Sequence, residues 1–155
     1  MILPMRYAVD ASFFFSEAAL EGDLFTPPSV AEEVTDARSR CRLEVLLESG
    51  LLVVSPSKQS VGRVGEAAGE TGDAPRLSPA DTDLLALSLD LGAVVVTDDF
   101  AVQNVAQRLG LGVEGILQRM ARPRRWKFRC PGCNRRYSAA GVCPVCGSTL
   151  SRTLK

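Results

Sequence analysis

Strands that alternate with amphipathic helices predict an α/β fold on a mostly parallel sheet. Three observations carry this prediction. Val94, Val95 and Val96 form a β-branched run suited to a strand buried on both faces. RYAV and LLVV are apolar strand candidates earlier in the chain, and the segments between such runs carry helix caps and helical spacing. The 155 residues allow one domain with a real core and a small appendage.

The elements follow in order. RYAVDAS holds the first strand, ending at Asp10, and FFFSEAALEG reads as a helix stopped by Gly22. In TPPSVAEEVTDA, Ser29 is placed as an N-cap with Glu32 three residues on, the pattern of a capping box. CRLEVLLESG puts Leu43, Leu46 and Leu47 on one helical face, with Gly50 just past the end. LLVVS is the second strand. Residues 56–77 are polar and glycine-rich, but Val61, Val64 and Ala68 keep helical spacing, so a weak helix and then a mobile loop are expected. SPADTDLLALSLDLG is a clear helix: Ser78 caps it, Pro79 takes the first helical position, and Gly92 ends it. The third strand spans 93–97, FAVQNVAQRLG is the next helix, and LGVEGIL contains a short last strand. RMARPRRWKFR, residues 119–129, has six bases in eleven residues and marks a boundary. The expected organisation is an α/β domain over 1–118, a basic linker over 119–129 and a cysteine module over 130–155.

Composition narrows the chemistry. The chain contains no histidine, which removes Ser-His-Asp and Cys-His catalysis, histidine-ligated zinc hydrolases and histidine acid–base nucleases. The net charge of zero hides an asymmetry: residues 1–118 hold 18 acids and 8 bases, a net −10, whereas 119–155 hold 10 bases and no acid. A basic module of this kind suits a polyanion, and an acidic domain facing the same polyanion needs cations between them. No apolar run reaches the roughly 18 residues of a membrane span. The opening MILPMRYAVD lacks a secretory pattern and runs straight into a strand, so a cytoplasmic protein is expected.

CPGC at 130–133 and CPVCG at 143–147 give C-x2-C-x9-C-x2-C. Each C-x2-C turn aims two thiolates at one centre, and two turns complete a tetrahedral site, so Cys130, Cys133, Cys143 and Cys146 are expected to hold structural zinc. A segment this short cannot bury a core of its own, and the metal supplies its folding energy. Iron is the minor alternative for four sulfurs, and paired disulfides do not suit a cytosolic protein. A closed site leaves no position for substrate. Arg122, Arg124, Arg125, Lys127, Arg129, Arg135 and Arg136, interleaved with Trp126, Phe128 and Tyr137, are the expected RNA contacts. Packing of the module's small interior is the competing use of each aromatic. Cys41 stands alone and is expected to be a small core residue.

The acids pose the sharper question. Asp10 ends the first strand, and Asp98 and Asp99 follow the third, so all three reach the carboxyl-end rim of a parallel sheet. Glu33 and Asp81 lie in the first turns of helices and join them if the topology allows. Each has a bland use: Asp81 as a helix cap, Glu33 as a solvated acid, Asp98 and Asp99 as turn formers. Together they repel. At about 5 Å and an effective dielectric of about 20, each pair costs ~3 kcal/mol, which divalent cations offset. Oxygen ligands suit Mg²⁺ or Mn²⁺, and the chemistry expected of such a cluster is two-metal phosphodiester hydrolysis leaving 5′-phosphate and 3′-hydroxyl ends. Ser12 and Thr97 are close enough in sequence to help position ligands or phosphate oxygens.

VDAS, PSVAEEV, LSPADTDLLALSLDLG and VVVTDDFAVQNVA resemble the four acidic blocks of PIN-domain ribonucleases. TDDFAVQN, followed by a basic linker and a four-cysteine ribbon, is similar to the Nob-type endonucleases that mature the 3′ end of small-subunit ribosomal RNA, in their compact archaeal form. The resemblance implies a three-layer α/β/α domain with a parallel sheet and a C-terminal zinc ribbon. It implies catalytic acids at Asp10, Glu33, Asp81 and Asp99, with Asp98 a neighbour able to share the last role, and Mg²⁺ or Mn²⁺ on Asp10, Asp81 and Asp99. It also implies precursor ribosomal RNA and the platform of the small ribosomal subunit as partners. Ala11 stands where many relatives carry a hydroxyl, and Ser12 is a candidate substitute. Two other readings are a toxin-type PIN ribonuclease acting on other RNAs and an assembly factor that binds RNA without cutting it.

Overall fold

The computed structural model describes residues 3–117 and 127–153, which fall into two compact units. The first is an α/β unit whose five strands are β1 (Arg6–Val9), β2 (Asp23–Thr26), β3 (Leu52–Val53), β4 (Val94–Val96) and β5 (Val113–Glu114). They lie in the order β3-β2-β1-β4-β5 with every pairing parallel. Among the described residues, six complete α-helices flank the sheet: α1 (Ala11–Phe15), α2 (Pro28–Glu33), α3 (Ala37–Glu48), α4 (Lys58–Thr71), α5 (Pro79–Leu91) and α6 (Phe100–Arg108). None of them is long and apolar enough to cross a membrane. Val9, Val95 and Val96 are fully buried in the central strands, as the valine run predicts.

The chain order of the strands creates the functional geometry. From β1 the sheet grows outward through β2 and β3 on one side, and through β4 and β5 on the other. The crevice at the carboxyl ends of β1 and β4 is therefore a topological switch point, where open α/β sheets bind ligands. Tyr7, Ala8 and Val9 pair with Val94, Val95 and Val96, so Asp10 and Thr97 emerge side by side, and the Asp10 N–H still donates to the Val96 carbonyl at 3.2 Å.

Several elements depart from the sequence-based expectation. The first helix stops at Phe15: the Ser16 hydroxyl donates to the Phe13 carbonyl and accepts from the Ala18 N–H, turning the chain away. Gly22 is not a helix stop but part of the entry to β2, at φ 147°, where a Cβ would lie 2.3 Å from the Met5 carbonyl oxygen. β2 itself was not expected from DLFT. Pairing with β1 and burial of Thr26, whose hydroxyl donates to the Val9 carbonyl at 3.0 Å, make it a strand. Pro27 is the N-cap of α2 and Pro28 its first residue, so the proposed Ser29–Glu32 capping box does not form. Ser29 is already inside the helix, and its hydroxyl donates to Asp83 at 2.6 Å.

The face of α3 is narrower than its leucines suggest, since Leu43 is buried, Leu46 half-buried and Leu47 exposed. Cys41 is exposed rather than part of the core. Buried Ser39 and Leu43 flank it at two residues' distance, about 200° around the helix, which turns position 41 outward. Residues 58–71 form a full helix in place of a weak one and a mobile loop. Ser57 caps it, Gly72 ends it at φ 79°, and Val64, Ala67 and Ala68 are buried. Asp90, in the last turn of α5, accepts from the Ser57 N–H, the Ser57 hydroxyl and the Ser60 hydroxyl, tying the two helices together. Tertiary burial outweighs the low intrinsic propensity of its three glycines. α5 forms as expected, with a Ser78–Asp81 capping box, Pro79 at its start and Gly92 at its end.

The second unit is a small sheet in which β6 (Lys127–Arg129) pairs antiparallel with both β7 (Arg136–Tyr137) and β8 (Ser151–Thr153). Arg122, Arg124, Arg125 and Trp126 lie outside the described residues, as does most of the expected linker.

Candidate active site and cysteine module

Asp10 is the N-cap of α1. One carboxylate oxygen accepts from the Ala11 N–H at 2.7 Å, and the other accepts from the buried Thr97 hydroxyl at 2.9 Å. The same Thr97 oxygen accepts from the Asp99 N–H at 3.1 Å. Asp99 in turn caps α6 through the Ala101 and Val102 N–H groups. Thr97 therefore links the acid after β1 to the acid after β4. Gln103 steadies the link by donating to the Thr97 carbonyl at 2.9 Å. Gln103 went unremarked in the sequence reading, although it lies four residues past Asp99, one helical turn on.

The electrostatics join the other acids to this pair. Burial pushes the Asp10 carboxyl above the ordinary aspartate range; the Thr97 and Ala11 hydrogen bonds oppose the shift, and the negative charges of Asp81 and Asp99 reinforce it. Glu33 is also raised, by partial burial and then by the charges of Asp10 and Asp81. Asp10 thus lies within electrostatic reach of Glu33, Asp81 and Asp99, acids drawn from three other stretches of chain. Asp81 reaches it while serving as the third residue of its capping box, its carboxylate accepting from the Ser78 N–H at 2.9 Å.

Asp98 is used differently. Its carboxylate accepts from the Ile116 N–H at 2.8 Å and the Leu117 N–H at 3.3 Å, and it is not among the charges acting on Asp10 or Glu33. The Ser12 hydroxyl is buried without a hydrogen-bond partner among the described residues.

The four acids offer only oxygen donors, a donor set that fits hard divalent cations. The ring is open, however. Among the described residues, the group already compact enough to hold an ion is the cysteine set, whose sulfurs all lie within 4.8 Å of one another. An open ring suits Mg²⁺-like ions, which keep several waters and take few protein ligands.

The cysteine module repeats one turn twice. The Asn134 N–H donates to the Cys130 carbonyl and the Gly147 N–H to the Cys143 carbonyl, both at 2.9 Å. Asn134 and Gly147 both take positive φ, 66° and 75°, one residue past each C-x2-C. A Cβ on Gly132 would meet the Ser148 hydroxyl at 2.9 Å and the Cys146 sulfur at 3.1 Å, so only glycine leaves room for the thiols. The Tyr137 hydroxyl sits 3.1 Å from the Cys143 sulfur and draws that thiol down to about 6. The Arg135 N–H works to lower Cys133, but burial and three neighbouring thiols outweigh it and push it up to about 11. The four sulfurs converge on one centre, all within 4.8 Å of one another, and a cation there would hold them as thiolates; the set fits structural zinc. The Tyr137 hydroxyl serves this interior, and its cross-strand partner Phe128 is half-buried.

Comparison with known proteins agrees with the geometry. The profile described as PIN domain of ribonuclease matches residues 8–91. That stretch holds Asp10, Glu33 and Asp81.

The chain belongs to the PIN-domain endoribonucleases of the Nob1 type.

Endoribonuclease Nob1 of Pyrococcus abyssi is 40% identical over 154 residues, covering 97% of this chain and 94% of the relative. Endoribonuclease Nob1 of Archaeoglobus fulgidus is 38% identical, covering 92% and 87%. Ribonuclease VapC1 of Thermoplasma acidophilum is 38% identical over 97% of this chain and 79% of its own length. The match to a relative of that name is thus as extensive over this chain as the match to those named Nob1. The fold and the four-cysteine cluster expected from the sequence are those of this PIN endoribonuclease.

Proposed function

We propose that this PIN endoribonuclease cleaves precursor small-subunit ribosomal RNA at its 3′ end, with Asp10, Glu33, Asp81 and Asp99 holding Mg²⁺ or Mn²⁺ at the β1–β4 crevice. The observation that carries the reading is the mutual charge interaction of these acids across one switch point. The RNA is suggested by the relatives. Those named Nob1 align over nearly the whole chain, and 20S-pre-rRNA D-site endonuclease NOB1 of Saccharomyces cerevisiae is 40% identical over 81 residues, though this chain covers only 18% of it.

Divalent ions in such a site lower the pKa of a bound water and offset charge on the phosphodiester and on the leaving 3′-oxygen. The protein's own part is positioning. Thr97 holds the Asp10 carboxylate and the Asp99 backbone in fixed relation, and the helix caps fix Asp10, Asp81 and Asp99 in orientation. Rigid placement by capping bonds means that little reorganisation is needed as charge develops.

The C-terminal module supplies phosphate contacts in this reading. Arg129 and Arg136 are directly paired across β6 and β7, and both are exposed. Like charges directly opposite on a sheet destabilise it unless an anion sits over them. Arg135 is exposed beside them, the backbone of Lys127 continues the same strand as Arg129, and Arg122, Arg124 and Arg125 of the linker extend the run.

The experiment is cleavage of a short RNA spanning the small-subunit rRNA 3′ end, with Mn²⁺ and with chelator. Metal-dependent cleavage at one phosphodiester, leaving 5′-phosphate and 3′-hydroxyl ends, supports the reading. Equal cutting of unrelated RNAs favours the broader ribonuclease reading, to which the extensive match with Ribonuclease VapC1 lends weight.

A further inference from the structure

We propose that Phe100 is a base-stacking platform at the acid rim, seating the nucleotide next to the cleaved phosphodiester. The inference rests on the endoribonuclease reading of that rim. Phe100 is 81% exposed, although Phe13 and Phe14 are fully buried. The core does not use it: the buried face of α6 is Ala101, Val102, Val105 and Ala106.

Its backbone is nevertheless held firmly. Phe100 is the first residue of α6, between the capping carboxylate of Asp99 and the two N–H groups that carboxylate accepts from. An exposed aromatic side chain is thus carried on a held backbone, one residue from an acid of the proposed metal-holding set. The neighbouring Asp98 pins the backbone of Leu117, another apolar residue that is 68% exposed. Asp98 thus ties the segment that carries Leu117 to the turn that carries Asp99 and Phe100. A single-stranded RNA needs two things at such a rim: a place for its phosphate and a place for the unstacked base beside it. Every base has a π-face, so an aromatic ring takes any of them without reading sequence.

The test measures kcat and KM with Mn²⁺ for the wild-type chain, Phe100→Ala and Phe100→Trp. The substrates are the short rRNA 3′-end RNA and a series in which one nucleotide at a time is abasic. Phe100→Ala is expected to raise KM by roughly 5- to 100-fold, the range of one lost base–aromatic stack, with kcat changed far less. Phe100→Trp is expected to restore KM, and the melting temperature of both variants should match wild type because the side chain is exposed. The gap between wild type and Phe100→Ala should close on the one RNA that lacks the stacked base. A wild-type KM for Phe100→Ala overturns the proposal, as does a penalty equal on every abasic RNA. Failure of the wild-type chain to cut any of the RNAs overturns the rim reading and this proposal with it, whereas wild-type cutting with no Phe100 effect overturns this proposal alone.

Discussion

The carboxylate rim and the cysteine module both gather like-charged ligands, but the rest of the molecule bears the cost differently. At the rim, a buried five-stranded sheet sets the backbone first, and capping bonds then hold Asp10, Asp81 and Asp99 against their mutual repulsion. The fold sustains the site and is strained by it, since Asp10 is shifted upward by burial and by its neighbours. In the module nothing comparable pre-exists. Three short strands and two knuckle turns surround four sulfurs, so an ion bound by the sulfurs would also be what folds the segment. On the proposed reading, a metal at the rim would depend on the fold while zinc in the module would produce it, and the two should respond oppositely to loss of metal.

The largest effect expected on this basis comes from Cys143→Ser or from removal of zinc. Structural zinc in small modules contributes about 10–16 kcal/mol at neutral pH, so residues 127–153 should lose their dispersed amide NMR signals while those of 3–117 stay in place. Collapse of both sets together would break the contrast. Next comes Asp10→Asn, which should reduce cleavage by more than the roughly 10–100-fold that loss of an outer-shell partner costs. Secondary structure by circular dichroism should be unchanged.

These two predictions also mark what could be read from the sequence. The knuckles were legible because C-x2-C repeats within a few residues and needs no distant partner. α5 was legible because Ser78, Pro79, Asp81 and Gly92 are local signals, and all four act as read. The convergence of Asp10 with Asp99 followed from β-branched runs ending in acids. By contrast, β2 is four residues whose strand character comes from its neighbours, and Ser29 lost its expected cap to two prolines whose effect is on backbone register. The adjacent Asp98 and Asp99 could not be separated by residue type. One faces the start of α6 and the other the Ile116–Leu117 backbone, a choice made by the turn after β4. The exposure of Phe100 was equally hidden, since an aromatic at the start of a helix ordinarily counts toward the core.

A smaller effect sharpens the rim side. Thr97→Val removes the hydroxyl that lowers the Asp10 carboxyl and leaves the Asp99 N–H without its acceptor. Stability should fall by about 1–3 kcal/mol, the cost of stranding buried polar groups. The acid limb of the cleavage–pH profile should move to higher pH, because Asp10 then gives up its proton less readily. A profile that moves the other way would contradict the assigned role of Thr97. Smaller still is the effect of Arg124→Ala combined with Arg125→Ala, which should weaken RNA binding and flatten its salt dependence by about one to two counterions while leaving the melting temperature unchanged. An unaltered salt slope would remove the linker from the RNA contact surface.

The central claim is that the acids at the β1–β4 crevice are held together at a cost to the fold that bound cations offset. With its carboxyl pKa raised in the folded state, Asp10 contributes favourably only while protonated. That contribution is complete below the ordinary aspartate value near 3.8 and is lost as pH rises through the higher folded value. The most direct measurement is therefore the thermal stability of wild type and Asp10→Asn at neutral pH, each without divalent metal and with saturating Mn²⁺, the zinc module being left loaded. The account predicts that Asp10→Asn melts higher without Mn²⁺, that the gap narrows as pH is lowered toward that range, and that saturating Mn²⁺ reverses the order by stabilising wild type alone. Melting curves that keep the same order with and without Mn²⁺ would contradict it.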